Sequence, residues 1–223
     1  EREVLDILNK DTQIPWVSKR GEYYYNFWQD QANPRGLLRR TTLDEYRKAK
    51  PAWETVLDID ALGKAEGKDW VYQGSQPLAP EYRYCLMQLS PDGGDATEIR
   101  EFDLVAKRFV KDGFNVPVAK SRVSWVDRDT LFIATDFGPG SMTQSGYARI
   151  AKRWRRGTPL SAAETLYEAQ PEDMAVFAYH DRTPGFERDF VGRSLDFYRR
   201  DYFLLAQDGR QIKIDIPADA ELD

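Results

Sequence analysis

The chain has 223 residues, room for one large domain or two small ones. Hydrophobic residues make up 41% and charged residues 31%, with a formal net charge of −5, so the basic excess usual in nucleic-acid binders is missing. No stretch approaches the roughly 18 apolar residues of a membrane helix, and one Cys with one His leaves no disulfide framework and no ligand set for zinc.

Residues 2–8 carry apolar side chains at Val4, Leu5, Ile7 and Leu8 and predict a short helix or arm. From Gly21 the chain turns into short β-rich runs separated by Gly, Pro and Asp. The first group predicts strands at 22–28, 37–43 and 53–59, with a short helical insert at 44–49 that Pro51 stops. The second predicts strands at 70–72, 82–89 and 97–104. The third predicts 122–126, 131–136, 147–154 and 165–168. The fourth predicts 174–180, 186–191, 202–206 and 211–216. Comparable strands recur at Tyr23, Tyr82, Leu131 and Val176, at steps of about 45–60 residues, the period of propeller blades of about four strands. The turns agree, because Asp92-Gly93 and Asp208-Gly209 supply the positive backbone angle that tight hairpins need. The aromatic content, 13%, suits packed strands. A β-sandwich would explain the aromatic strands but not the recurrence.

Motifs that could carry chemistry fall short of it. Gly138-Pro139-Gly140-Ser141-Met142-Thr143-Gln144-Ser145-Gly146 is rich in Gly and Ser but lacks the G-x-S-x-G spacing of a nucleophile elbow and the Gly-Lys-Ser/Thr of a phosphate loop. It reads as a flexible or ligand-lining loop between strands. His180 ends an apolar strand beside Asp181, but adjacent strand residues point to opposite faces, so it reads as a hydrogen-bonded strand-end histidine. Cys85 alternates with aromatics as a small core residue would. Arg149, Lys152, Arg153, Arg155 and Arg156 flank Trp154, a pattern seen in nucleic-acid binders, yet the acidic chain favours a solvated strand face. Arg39 and Arg40 are expected to pair with Asp44 and Glu45. Asp58, Asp60, Asp127, Asp129, Asp215 and Asp219 fall at strand ends and turns, and none forms a recognisable glycosidase dyad. No catalytic, cofactor-binding or metal-ligating residue is assigned, and no cofactor is expected.

A family resemblance spans the chain. Gly21-Glu22-Tyr23-Tyr24-Tyr25-Asn26-Phe27-Trp28-Gln29-Asp30, then Asn33-Pro34-Arg35-Gly36-Leu37-Leu38-Arg39-Arg40-Thr41-Thr42-Leu43, resembles the start of the propeller in bacterial prolyl oligopeptidase-family serine peptidases. Pro51-Ala52-Trp53-Glu54-Thr55-Val56-Leu57-Asp58, Ser121-Arg122-Val123-Ser124-Trp125, Thr135-Asp136-Phe137-Gly138-Pro139-Gly140-Ser141 and Arg153-Trp154-Arg155-Arg156-Gly157-Thr158-Pro159 resemble the same family. The resemblance implies a seven-bladed propeller over an α/β-hydrolase domain with a Ser-Asp-His triad, the propeller admitting short peptides and excluding folded proteins. No family catalytic residue maps onto this chain.

Seven blades of about 40–50 residues need about 300 residues. The expectation is therefore an all-β chain: an N-terminal arm or helix over 1–20 and, over 21–223, about four of seven propeller blades without the hydrolase domain. The expected role is gating and substrate admission for a peptidase of short peptides, with the chain alone inactive. The alternative is a self-contained four-bladed propeller that binds a glycan or protein. Expected partners are the chain's own hydrolase domain and short peptides, not nucleic acid or membrane, with self-association through uncovered strand edges. A single Cys fits the cytoplasm. The start Glu1-Arg2-Glu3-Val4-Leu5 has no signal-peptide core but also no Met, which leaves a periplasmic location open.

Overall fold

The computed structural model describes residues 14–220, so the helix or arm expected over residues 2–8 lies outside the described residues. Strands dominate, in four antiparallel sheets whose strands follow one another in chain order but for one added pairing in the second. The first sheet holds β1 (Ser18–Arg20), β2 (Tyr23–Trp28), β3 (Leu37–Thr42) and β4 (Glu54–Asp58). The second continues with β5 (Val71–Pro77), β6 (Tyr84–Ser90), β7 (Thr97–Asp103) and β8 (Arg108–Phe109). A fifth strand of this sheet, β9 (Asn115–Ala119), pairs with β7, and the third sheet holds β10 (Arg122–Asp127), β11 (Thr130–Ala134), β12 (Ile150–Arg155) and β13 (Glu164–Glu168). The fourth holds β14 (Ala175–Asp181), β15 (Arg188–Ser194), β16 (Arg200–Leu205) and β17 (Gln211–Lys213).

Four sequential antiparallel meanders, the second extended by β9, are propeller blades, and the fold is a partial β-propeller. The first strands begin at Ser18, Val71, Arg122 and Ala175, steps of 53, 51 and 53 residues. The sequence period sets Val176 with Tyr23, Tyr82 and Leu131, but the four positions are not equivalent. Val176 lies in a first strand, whereas Tyr23 and Leu131 lie in second strands and Tyr82 just ahead of one. The first sheet also begins at Ser18, three residues before the start expected at 21, because Ser18, Lys19 and Arg20 pair with Tyr25, Tyr24 and Tyr23.

Two short helices interrupt the strands. Helix α1 (Leu43–Tyr46) is a single turn whose N-cap, Thr42, accepts the Glu45 N–H; it is shorter than the insert expected over 44–49. Helix α2 (Ile59–Glu66) was not expected. Asp58 caps it by accepting the Ala61 N–H at 2.9 Å, and Gly67 closes it at φ +64°, a left-handed angle that suits glycine. Its Ile59 is fully buried.

The chain divides into two compact units, residues up to 94 with 98–115, and 95–97 with 116 onward. In the first, Tyr25, Leu38 and Val56 of the first sheet meet Cys85, Met87, Phe102 and Leu104 around the second. Ile59, Trp70 and Leu89 form a smaller cluster there. In the second unit, Phe132, Ala134 and Ala151 of the third sheet meet Val176, Ala178 and Val191 of the fourth. Alternate residues along each strand supply these contacts, as period-2 side-chain alternation requires.

Candidate functional site

The second unit contains a cleft of about 770 Å³ between its two sheets. Period 2 places His180 on the same face of β14 as Val176 and Ala178, so the strand that builds the core also carries this side chain to the cleft. Directly across the β14–β15 ladder stands Asp189, and His180 Nδ1 lies 2.7 Å from its Oδ1. Arg153 reaches over from β12, with Nη2 3.4 Å from Asp189 Oδ2 and Nη1 3.4 Å from Glu164 Oε2. Leu166, Leu204, Leu205 and Ala206 form the half-buried apolar part of the lining, and Glu187, Arg188, Gln207 and Asp208 stand exposed around it.

In a neutral imidazole, donating Nδ1–H to a carboxylate leaves a lone pair on Nε2. The partner is Asp189, nine residues on, and not the adjacent Asp181, which accepts the Thr183 N–H and hydroxyl instead. Sequence reasoning singled out the histidine but missed Asp189. The signal available was hairpin pairing: a turn centred near Pro184-Gly185 sets residues 180 and 189 opposite each other.

The other candidates have structural roles. Ser141 is buried. Its Oγ accepts the Phe137 N–H at 2.8 Å and donates to the Gly138 carbonyl at 2.7 Å. The 138–146 loop is fastened by Arg149, which donates to the Gly140 carbonyl from Nε and Nη2 and to the Ala169 carbonyl from Nη1. Thr143 and Ser145 both donate to the Met174 carbonyl. In the basic run, Trp154 is buried and donates to the Thr158 carbonyl, while Arg156 binds Asp129 and the Arg128 carbonyl. Asp58 is a helix cap, Asp60 accepts the Arg35 and Gly36 N–H groups, and Asp127 accepts the Asp129 N–H. Asp215 and Asp219 lie beyond β17. Burial pushes the Cys85 thiol up to about 12.

One pairing is corrected. Arg39 and Arg40 do not pair with Asp44 and Glu45. Arg40 Nε binds Glu54 Oε2 at 2.5 Å and its Nη1 donates to the Leu104 carbonyl at 2.9 Å. Arg39 lies between the rings of Trp28 and Trp53, 4.2 and 4.3 Å from their centroids, and donates to Asn26. Strand alternation sends the two arginines to opposite faces, which sequence proximity to two carboxylates cannot reveal.

Consecutive antiparallel meanders at a steady period define a run of propeller blades, with a polar cleft between the sheets of the second unit. Residues 2–183 match the family model described as the prolyl oligopeptidase N-terminal β-propeller domain, and the chain belongs to that family. An uncharacterized peptidase of Sinorhizobium fredii is 39% identical over 200 residues, covering 87% of this chain and 28% of its own length. An uncharacterized peptidase of Rickettsia prowazekii is 33% identical over 235 residues, covering 100% of this chain and 32% of its own. The solved structure of a post-proline cleaving enzyme from Rickettsia typhi superposes with a TM-score of 0.91 at 31% identity, over 98% of this chain and 33% of that one. Oligopeptidase B from Leishmania major gives 0.66 at 15% identity over 97% of this chain and 30% of that one, a likeness of fold alone. The chain thus spans about a third of the length of the curated relatives it matches.

Proposed function

We propose that this chain is the propeller part of a prolyl oligopeptidase-like serine endopeptidase that cleaves short peptides. In this reading it governs substrate admission to a hydrolase domain, and on its own it does not hydrolyse peptides. The observation that carries the reading is the superposition on a post-proline cleaving enzyme, 0.91 over 98% of the chain at 31% identity. The family match over residues 2–183 supports it further. The test is direct: the purified chain is incubated with a proline-containing chromogenic peptide, and no release of chromophore is expected. Turnover by the pure chain overturns the inactivity. Gating is tested in the full-length enzyme, where a folded protein is expected to resist cleavage that the same sequence undergoes as a short peptide. Equal rates on both overturn it.

The lone Cys85, fully buried, supports a reducing cytoplasm. Trp16, Phe197 and Tyr198, 92%, 77% and 86% exposed, support self-association of the isolated chain. Sedimentation is expected to show mass rising with concentration, and a monomer throughout counts against it.

A further inference from the structure

We propose that the cleft at His180 binds a protonated amine carried on a short peptide, with His180 Nε2 and the rim carboxylates as acceptors. The inference rests on the cleft alone and does not depend on the gating role. The first support is the fixed imidazole. Asp189 stands at Nδ1, from the same face of the neighbouring strand, and in the neutral ring this leaves the Nε2 lone pair as the acceptor offered to the cleft.

The second support is charge. Four carboxylates line the cleft, those of Glu164, Glu187, Asp189 and Asp208, against the two guanidiniums of Arg153 and Arg188. Arg153 is engaged by Asp189 and Glu164, and Asp208 by Arg210, whereas Glu187 and its neighbour Arg188 have no ion-pair partner among the described residues. Even with Arg210 counted, carboxylates outnumber guanidiniums by one, so an anion meets a net negative lining and a cation meets acceptors.

The third support is shape. The volume, about 770 Å³, falls within the range of roughly 300–1,000 Å³ usual for small-ligand sites, and the leucines at 166, 204 and 205 give apolar surface for a ligand side chain beside the acceptors. A free amino acid would leave most of this space empty, whereas a peptide of a few residues fills it. The ammonium could be the peptide's N-terminus or a lysine side chain; the chemistry at the acceptors is the same.

The experiment uses the chain's single histidine, which gives one pair of ring-nitrogen resonances in the full chain labelled with ¹⁵N-histidine. Three probes are titrated: the amide of Leu-Pro-Leu with a free N-terminus, its N-acetylated form, and the N-acetylated amide of Lys-Pro-Leu. Saturable displacement of the Nε2 signal is expected with a cationic probe, and at least about tenfold weaker binding with the uncharged one. Whichever cationic probe binds identifies the amine recognised. The exposed rim variants Glu187→Gln and Glu164→Gln are expected to weaken binding several-fold with the histidine signals otherwise in place. The proposal is overturned if neither cationic probe displaces the signal, if the acetylated Leu-Pro-Leu amide binds equally well, or if both rim variants bind as the parent does.

Discussion

The ring of Phe177 covers the bare backbone of Gly192, its direct partner across β14 and β15. A Cβ at Gly192 would come within 2.1 Å of the ring's Cζ and 2.6 Å of both Cε atoms. The aromatic ring fills the space that a side chain would take, which shields the strand backbone at a glycine that would otherwise weaken the sheet. Gly192→Ala is therefore expected to destabilise the chain by about 1–3 kcal/mol through overpacking. Combined with Phe177→Leu, the same change is expected to cost less than the sum of the two single effects, a coupling that a double-mutant cycle in urea measures. Strict additivity would show that the ring moves aside freely.

Arg40 is the more consequential of the two neighbouring arginines. Its side chain is 8% exposed, and it holds Glu54, the Leu104 carbonyl and, at 3.3 Å, the Tyr25 hydroxyl. Arg40→Met is expected to cost about 2–4 kcal/mol, because a buried carbonyl loses its donor while Glu54 keeps only Lys107. Arg39→Met removes two cation–π contacts on a half-buried face and is expected to cost about 1 kcal/mol. Denaturant midpoints of the two variants decide the order; a larger loss at Arg39 would reverse it.

Acid is expected to destabilise the first unit. Hydrogen bonds from Arg40 and Lys107 hold Glu54 below the usual carboxylate range. At Glu66 burial pushes upward, but hydrogen bonds from Arg100 and Trp70 outweigh it and the pKa is lowered. At Asp103 burial is likewise outweighed, by the Ala106 N–H, Arg83 and the Val105 N–H. Each group binds its proton less readily folded than unfolded. Its contribution is thus full above the ordinary carboxylate range and is lost as pH falls through the lowered folded value. The urea midpoint is expected to hold from pH 7 to about 5 and to drop below about pH 4, with a shallower drop in Glu66→Gln. A midpoint that holds or rises in that lower range refutes this.

Cys85 is expected to be silent toward thiol reagents in the native chain. It is 0% exposed, and its thiol is pushed up to about 12 by burial, so the reactive thiolate is scarce and shielded. Colour development with an aromatic disulfide reagent is expected only on unfolding, at the rate at which the fold opens. Prompt labelling in native buffer contradicts it.

The central strands were legible because their signals are local. Tyr84-Cys85-Leu86-Met87-Gln88-Leu89 is a long apolar run bounded by turn residues, and β6 falls where it does. Helix α2 was lost to the run before it. Trp53 to Ile59 alternates like a strand, and the reading carried through Asp58, which is in fact a helix cap followed by Ile59, Leu62 and a closing glycine. Strands β8 and β9 were missed because two to five residues with mixed polarity carry no period. The His180–Asp189 pair was partly hidden for a further reason. It depends on hairpin register, and the expected start of β15 at 186 fell two residues ahead of the observed Arg188.

In each sheet the first four strands stand side by side in the order they are made, and only β9 steps back, past β8, to pair with β7. Ladder partners are therefore near in sequence, and closing the loops between them costs little entropy compared with pairing distant segments. A sheet can form as soon as its roughly fifty residues have left the ribosome, before the next has been translated. Assembly from the N-terminal end follows from the strand order itself, and the first sheet would have to wait only for the second to bury Tyr25, Leu38 and Val56.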